Sequence, residues 1–130
     1  MSTGYNLKRM YSAQLLDHFQ NPRNAGDVSS ADATAEVENP ACGDVLRLTL
    51  KIRNGRIAEI GFKAKGCVPS MACASALTEM VAGRTVDEAR VAALNRDGLI
   101  AAVGGLPQAS AHAAQLALDT LSVALKNLKL

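Results

Sequence analysis

The most constraining stretch of this chain is Val45 to Arg53, where Leu46, Leu48, Leu50 and Ile52 alternate with Arg47, Thr49, Lys51 and Arg53. A period of two puts one set on each side of an extended backbone, as in a strand with one face in a core and one in water. Asn54-Gly55 follows, a favoured pair for tight reversal, and Ala58, Ile60, Phe62 and Ala64 form the apolar face of the returning strand. A β-hairpin between Val45 and Lys65 is expected. A two-residue turn pairing Arg53 with Arg56 would set Leu50 beside Glu59 and Leu46 beside Lys63, mixing the faces. A three-residue loop with Gly55 in a left-handed bulge position pairs Ile52 with Arg56, Leu48 with Ile60 and Leu46 with Phe62, and is preferred.

The remaining pattern is mostly helical. Leu15, Leu16 and Phe19 share one side of a short helix within Tyr11 to Phe19, which Asn21-Pro22-Arg23-Asn24 ends. The polar stretch Ser29 to Glu38 is compatible with an edge strand around Ala33 to Val37. Beyond Gly66-Cys67, Pro69 suits a first helical position, and Met71, Leu77, Met80 and Val81 recur at helical spacing until Gly83. Thr85 and Glu88 read as the capping box of a second helix. A third helical segment spans Asp97 to Val103, and the longest helix runs from about Ser110 to Leu128. Strands followed by helices predict an α+β fold: a three-stranded antiparallel sheet with helices on one face and a long C-terminal helix. The 130 residues suit one domain, residues 1–130, with residues 1–10 as a flexible N-terminus.

Composition narrows the function classes. The net charge of +2 and the lack of Lys/Arg runs interleaved with aromatics disfavour a nucleic-acid binder. No run of 18 apolar residues and no secretory leader is evident, so a soluble cytoplasmic protein without membrane contact is expected. The cysteines number three, an odd count that a reducing cytosol would hold as thiols, free for metal or sulfur chemistry.

The hairpin brings two of these thiols together. In the preferred register Cys67 lies opposite Ala41, one position from Cys42, at the open end of the hairpin. Asp44, two residues beyond Cys42, points to the same side if the chain stays extended. Cys67 precedes the helix that starts near Pro69, where the helix field favours thiolate. His112 falls in the first turn of the last helix, where the same field favours a neutral imidazole.

Pro40-Ala41-Cys42-Gly43-Asp44 resembles the first ligand loop of the NifU/IscU iron-sulfur cluster assembly scaffolds. Asp17-His18 with Asn21-Pro22-Arg23-Asn24, Phe62-Lys63 with Gly66-Cys67, Leu77-Thr78-Glu79, and Leu106-Pro107 before His112 resemble further stretches of that family in the same order. The resemblance runs from about Tyr11 to the C-terminus. It implies a non-enzymatic scaffold or carrier in which Cys42, Asp44, Cys67 and His112 hold Zn²⁺ or Fe²⁺ and a transient [2Fe-2S] cluster. It further implies a cysteine desulfurase as sulfur donor and apo-proteins as recipients.

Two departures accompany it. The family's third cysteine, a cluster ligand and favoured sulfur acceptor in better-known members, is Ala113 here. The segment that a specialised chaperone reads usually begins Leu-Pro-Pro-Val-Lys, whereas this chain has Leu106-Pro107-Gln108-Ala109-Ser110. A second function class therefore stands beside the first: a zinc-bound sulfur-transfer protein, or a regulatory partner of the desulfurase, that accepts persulfide on Cys67 and holds no cluster.

Each candidate also has a plainer reading. Free cysteines commonly act as small buried hydrophobes, but the loop positions of Cys42 and Cys67 and the nearby Asp44 favour ligands. Cys73 sits on the apolar stripe of its helix and reads as core rather than as a replacement thiol. His18 reads as structural or surface. Lys51, Arg53, Arg56, Lys63 and Lys65 read as a solvated surface before a docking patch.

Overall fold

A computed structural model describes residues 7–128. The elements are α1 (Leu7–Met10), α2 (Ala13–Gln20), β1 (Ala33–Glu38), β2 (Val45–Arg53), β3 (Arg56–Lys65), α3 (Val68–Val81), α4 (Val86–Ala92), α5 (Arg96–Ala102) and α6 (Ala111–Lys126), with a 3₁₀ turn at Gln108–Ser110 before α6. The strands form one antiparallel sheet in the order β1-β2-β3. Helix α6 packs on β1 and β2, and α3 packs on β3, against α6 and against α2. This is the expected α+β arrangement with a long C-terminal helix. Of the N-terminal stretch expected to be flexible, residues 1–6 lie outside the described residues, and Leu7–Met10 form a helical turn.

The hairpin corrects the expected register. Arg53 pairs with Arg56 across a two-residue Asn54-Gly55 turn, with positive φ at both turn residues (54° and 73°). The face conflict that argued against this turn is absorbed by a bulge: Lys51 faces Glu59 while Ile52 faces Ile57, leaving Ala58 as the extra residue. Beyond it Leu50 meets Ile60, Leu48 meets Phe62 and Leu46 meets Ala64, so these three leucines have partners two positions later than expected. The bulge also exchanges roles on β3. Ala58, expected in the apolar face, is exposed, and Ile57 is fully buried.

The core follows the alternation otherwise. Leu46, Leu48 and Leu50 are buried beneath the helices with Ile60 and Phe62, each such side chain contributing about 1.5 to 3 kcal/mol when removed from water. Most of α3 is buried: its Ala72, Cys73, Ala74, Ala76 and Leu77 meet neighbours with little exposure. Small residues allow that close approach. The 24–26 segment pairs with β3 through a parallel bridge between Ala25 and Phe62, and a Cβ on Gly61 would lie 2.2 Å from the Gly26 carbonyl oxygen. Gly26 N–H donates to Phe62 O at 2.7 Å, and Val28 N–H donates to Thr49 Oγ1 at 2.9 Å.

Local signals closed as their chemistry requires. Thr85 and Glu88 form the reciprocal capping box of α4, at 3.0 Å and 2.9 Å. Ser12 caps α2 by accepting from Leu15 N–H. At the far end of α6, Asn127 Nδ2 donates to Thr34 O on β1 at 2.9 Å. Among the described residues, no helix is long and apolar enough to cross a membrane.

Candidate metal centre

Three chain segments converge where β2 begins and β3 ends. Val45 and Lys65 are the last pair of the hairpin ladder, so Asp44 and Gly66 face each other just beyond it. A Cβ on Gly66 would overlap the Asp44 carboxylate, lying 2.4 Å from Cγ. The Gly-Cys pair is thus steric as well as chemical: glycine makes room for Asp44, and the next residue carries the thiol.

Cys42 reaches this point by a turn, not by the extended chain expected. Gly43 has φ +75°, its N–H donates to Asn39 O at 2.7 Å, and Asn39 N–H donates to Asp44 O at 2.8 Å. Asn39 Oδ1 also accepts from Ala41 N–H at 2.9 Å. The 39–44 loop is therefore closed by its own backbone, with glycine supplying the left-handed residue.

Cys67 is the N-cap residue of α3, with Val68 and Pro69 opening the helix. Its Sγ lies 3.1 Å from Asp44 Oδ2. His112 lies in the first turn of α6, and one ligand atom each from Cys42, Asp44 and His112 come within 4.8 Å of one another. Of the four residues singled out in the sequence, Cys42, Asp44 and His112 form a compact group, and Cys67 lies outside it, touching it only at the Asp44 carboxylate. His112 Nδ1 is 3.2 Å from Ala109 O. A proton donated there leaves the Nε2 lone pair free.

Burial grades the group. Cys42 is exposed, Cys67 and His112 are half-buried, and Asp44 is 7% exposed. Burial pushes the Asp44 carboxyl up, but donation from Ser70, Cys67 and Cys42 outweighs it, and the group stays below its ordinary value as a carboxylate. Cys67 departs from expectation. Burial pushes its thiol up, the nearby Asp44 charge adds to that, and donation from Ser70 offsets only part. Desolvation and a like charge at 3.1 Å set the direction of the shift.

Ser70 is the residue that the sequence pattern did not expose. It lies three positions after Cys67, in the first turn of α3, is buried, and donates its hydroxyl to Asp44 Oδ2 at 2.6 Å. Its Oγ is also 3.2 Å from Cys67 Sγ. Three-residue spacing on a helix start was the available signal, but serine is too common there to stand out.

The other candidates fall outside this group. Cys73 is fully buried and its thiol is pushed up to about 12, first by burial and then by the neighbouring Cys67. His18 is buried at the α2–α3 contact, with Nδ1 2.8 Å from Ser75 Oγ and Nε2 3.7 Å from Glu79. Several residues of the basic surface have protein partners: Lys63 approaches Asp27, Arg53 approaches Glu59 and Lys51 donates to Ser30 O.

Comparison with known proteins identifies the family. Residues 10–130 match the NifU-like N terminal domain. An iron-sulfur cluster assembly scaffold protein IscU 1 of Archaeoglobus fulgidus is 43% identical over 112 residues, covering 86% of this chain and 72% of that protein. An IscU scaffold of Aquifex aeolicus is 40% identical over 119 residues, covering 90% of this chain and 74% of that protein. The crystal structure of a NifU-like N-terminal protein from Brucella abortus has the same fold, with a TM-score of 0.76 at 22% identity over 94% of this chain and 96% of that one. A family match across nearly the whole chain, joined to these identities, means that the chain belongs to the NifU-like N-terminal domain family.

Proposed function

We propose that this protein is an iron-sulfur cluster assembly scaffold. In this reading Cys42, Asp44, Cys67 and His112 bind Zn²⁺ or Fe²⁺ and carry a labile [2Fe-2S] cluster as cargo. The observation that carries it is the meeting of Cys42, Asp44 and His112 within 4.8 Å, with Cys67 3.1 Å from the same carboxylate. Two thiols, a carboxylate and an imidazole match the donor types of tetrahedral zinc, and the thiols and imidazole match those of iron-sulfur sites. The buried Asp44 supplies fixed negative charge, and His112 has a backbone carbonyl available to orient its ring. The relatives in Archaeoglobus fulgidus and Aquifex aeolicus are named scaffold proteins, which supports a presenting role rather than turnover of a substrate.

The partners of this reading are a cysteine desulfurase that supplies sulfur and apo-proteins that receive the cluster, in the cytoplasm, with the chain acting as one domain. Anaerobic reconstitution with iron and sulfide, followed by visible absorption and metal analysis, tests it. Absorption bands of a [2Fe-2S] cluster that disappear in Cys42→Ala and Cys67→Ala are the expected result. A colourless protein holding one Zn²⁺ per chain would favour the second reading, a sulfur-transfer or regulatory partner of the desulfurase that holds no cluster. That reading is favoured by Ala113, which leaves the chain one thiol short of the family pattern.

A further inference from the structure

We infer that Ser70 is a positioning residue for the metal centre: its hydroxyl holds the Asp44 carboxylate in place when the surrounding thiols bind metal. The inference rests on the reading of Cys42, Asp44, Cys67 and His112 as ligands.

Asp44 Oδ2 is the hub of the metal-free group. It faces the Ser70 hydroxyl at 2.6 Å, the Cys67 thiol at 3.1 Å and the Cys67 backbone N–H at 3.5 Å. These donors differ in what happens to them when metal arrives. Thiols bind metal as thiolates and release their protons. The Cys67 thiol donor to Asp44 is therefore lost, and a negative sulfur stands beside a negative carboxylate.

The hydroxyl proton of Ser70 stays. It is the short, charge-assisted bond of the set, and the backbone N–H at 3.5 Å is too long to replace it. Ser70 is also rigidly placed, since it is 4% exposed and lies in the first turn of α3, whose N-cap residue is Cys67. One helical turn thus carries both a candidate ligand and the donor that orients its neighbour. On the opposite side, Gly66 leaves only enough space for the carboxylate. Asp44 is confined between a helix hydroxyl and a glycine backbone.

The test is Zn²⁺ affinity, measured by competition with a chromophoric chelator, for the full chain and the Ser70→Ala and Ser70→Thr variants. Loss of an outer hydrogen bond of this kind weakens metal binding about 10-fold or more. Ser70→Ala is expected to show that loss and Ser70→Thr, which keeps the hydroxyl, to recover most of it. In an Asp44→Ala background, Ser70→Ala should cause no further loss. Melting temperatures of the metal-free proteins separate folding from binding, and Ser75→Ala on the same helix should lower melting while leaving affinity intact. Unchanged affinity in Ser70→Ala, or an equal loss with and without Asp44, would overturn the inference. If the wild-type protein takes up no Zn²⁺ at all, the ligand reading fails and the inference with it.

Discussion

Gly66 and Asp44 occupy complementary space: a Cβ on Gly66 would lie 2.4 Å from Asp44 Cγ and 2.5 Å from Oδ1. Gly66→Ala therefore forces the carboxylate out of its present position. Overpacking of this kind costs roughly 1 to 3 kcal/mol. Zn²⁺ affinity should fall by about an order of magnitude, as for other losses of ligand orientation. Isothermal titration of the variant checks this, and affinity equal to wild type would show that Asp44 does not contribute to binding.

Cys73 is expected to be dispensable for metal. It is fully buried in α3, and its thiol is pushed up to about 12, so it offers no thiolate near neutral pH. Cys73→Ser should keep metal stoichiometry and lose roughly 1 to 3 kcal/mol of stability by burying a hydroxyl. A folded variant without metal would instead make Cys73 a ligand.

Metal affinity should rise with pH. The Cys67 thiol titrates above its ordinary value, chiefly through burial, so protons compete with metal at this position throughout the neutral range. Chelator competition at about pH 6 and about pH 8 should give clearly tighter binding at the higher pH. A flat profile would argue against thiolate ligation.

A separate pH effect concerns folding. Burial lowers the pKa of His18 from 6.5, Arg23 adds to that, and Glu79 and Asp17 oppose it only in part. The folded state therefore disfavours the imidazolium. The stability associated with neutral His18 is fully present above the unfolded value and is lost as pH falls from about 6.5 through the lower folded value. The shifted carboxylates act at more acidic pH, so they leave this window separate. Denaturant unfolding of wild type and His18→Gln across that window should show a steeper decline for wild type.

Ala113 follows His112 on α6 and is fully buried. With two thiolates in place of three, a cluster on this chain should be labile, since carboxylate and imidazole hold iron more weakly. Ala113→Cys is expected to lengthen the decay of cluster absorption under a chelator. Equal decay in the two proteins would mean that position 113 does not face the cluster.

The alternation of Leu46 to Ile52, the Thr85–Glu88 box and Pro69 at the start of α3 made the strands and helices legible, because each is a local rule obeyed locally. The register was not, because face matching was applied to an unbroken ladder, and the bulge at Ala58 breaks it. Asp44 and Gly66 end up facing each other beyond the ladder, which brings Cys67 to the Asp44 carboxylate, while Cys42 joins Asp44 and His112 rather than Cys67. The high titration of Cys67 depends on burial and on Asp44 at 3.1 Å, neither of which a helix-end argument contains. Ser70 depends on a contact across 26 residues of chain, which no pattern within α3 reveals.

The last bond of α6 has a consequence for the whole molecule. β1 lies at one end of the strand order, where backbone acceptors can template a strand from another chain. Asn127 occupies one of these acceptors, Thr34 O, from within the same chain. A strand pairing at that point would have to displace this hydrogen bond, so the end of α6 and the edge of β1 compete for the same carbonyl.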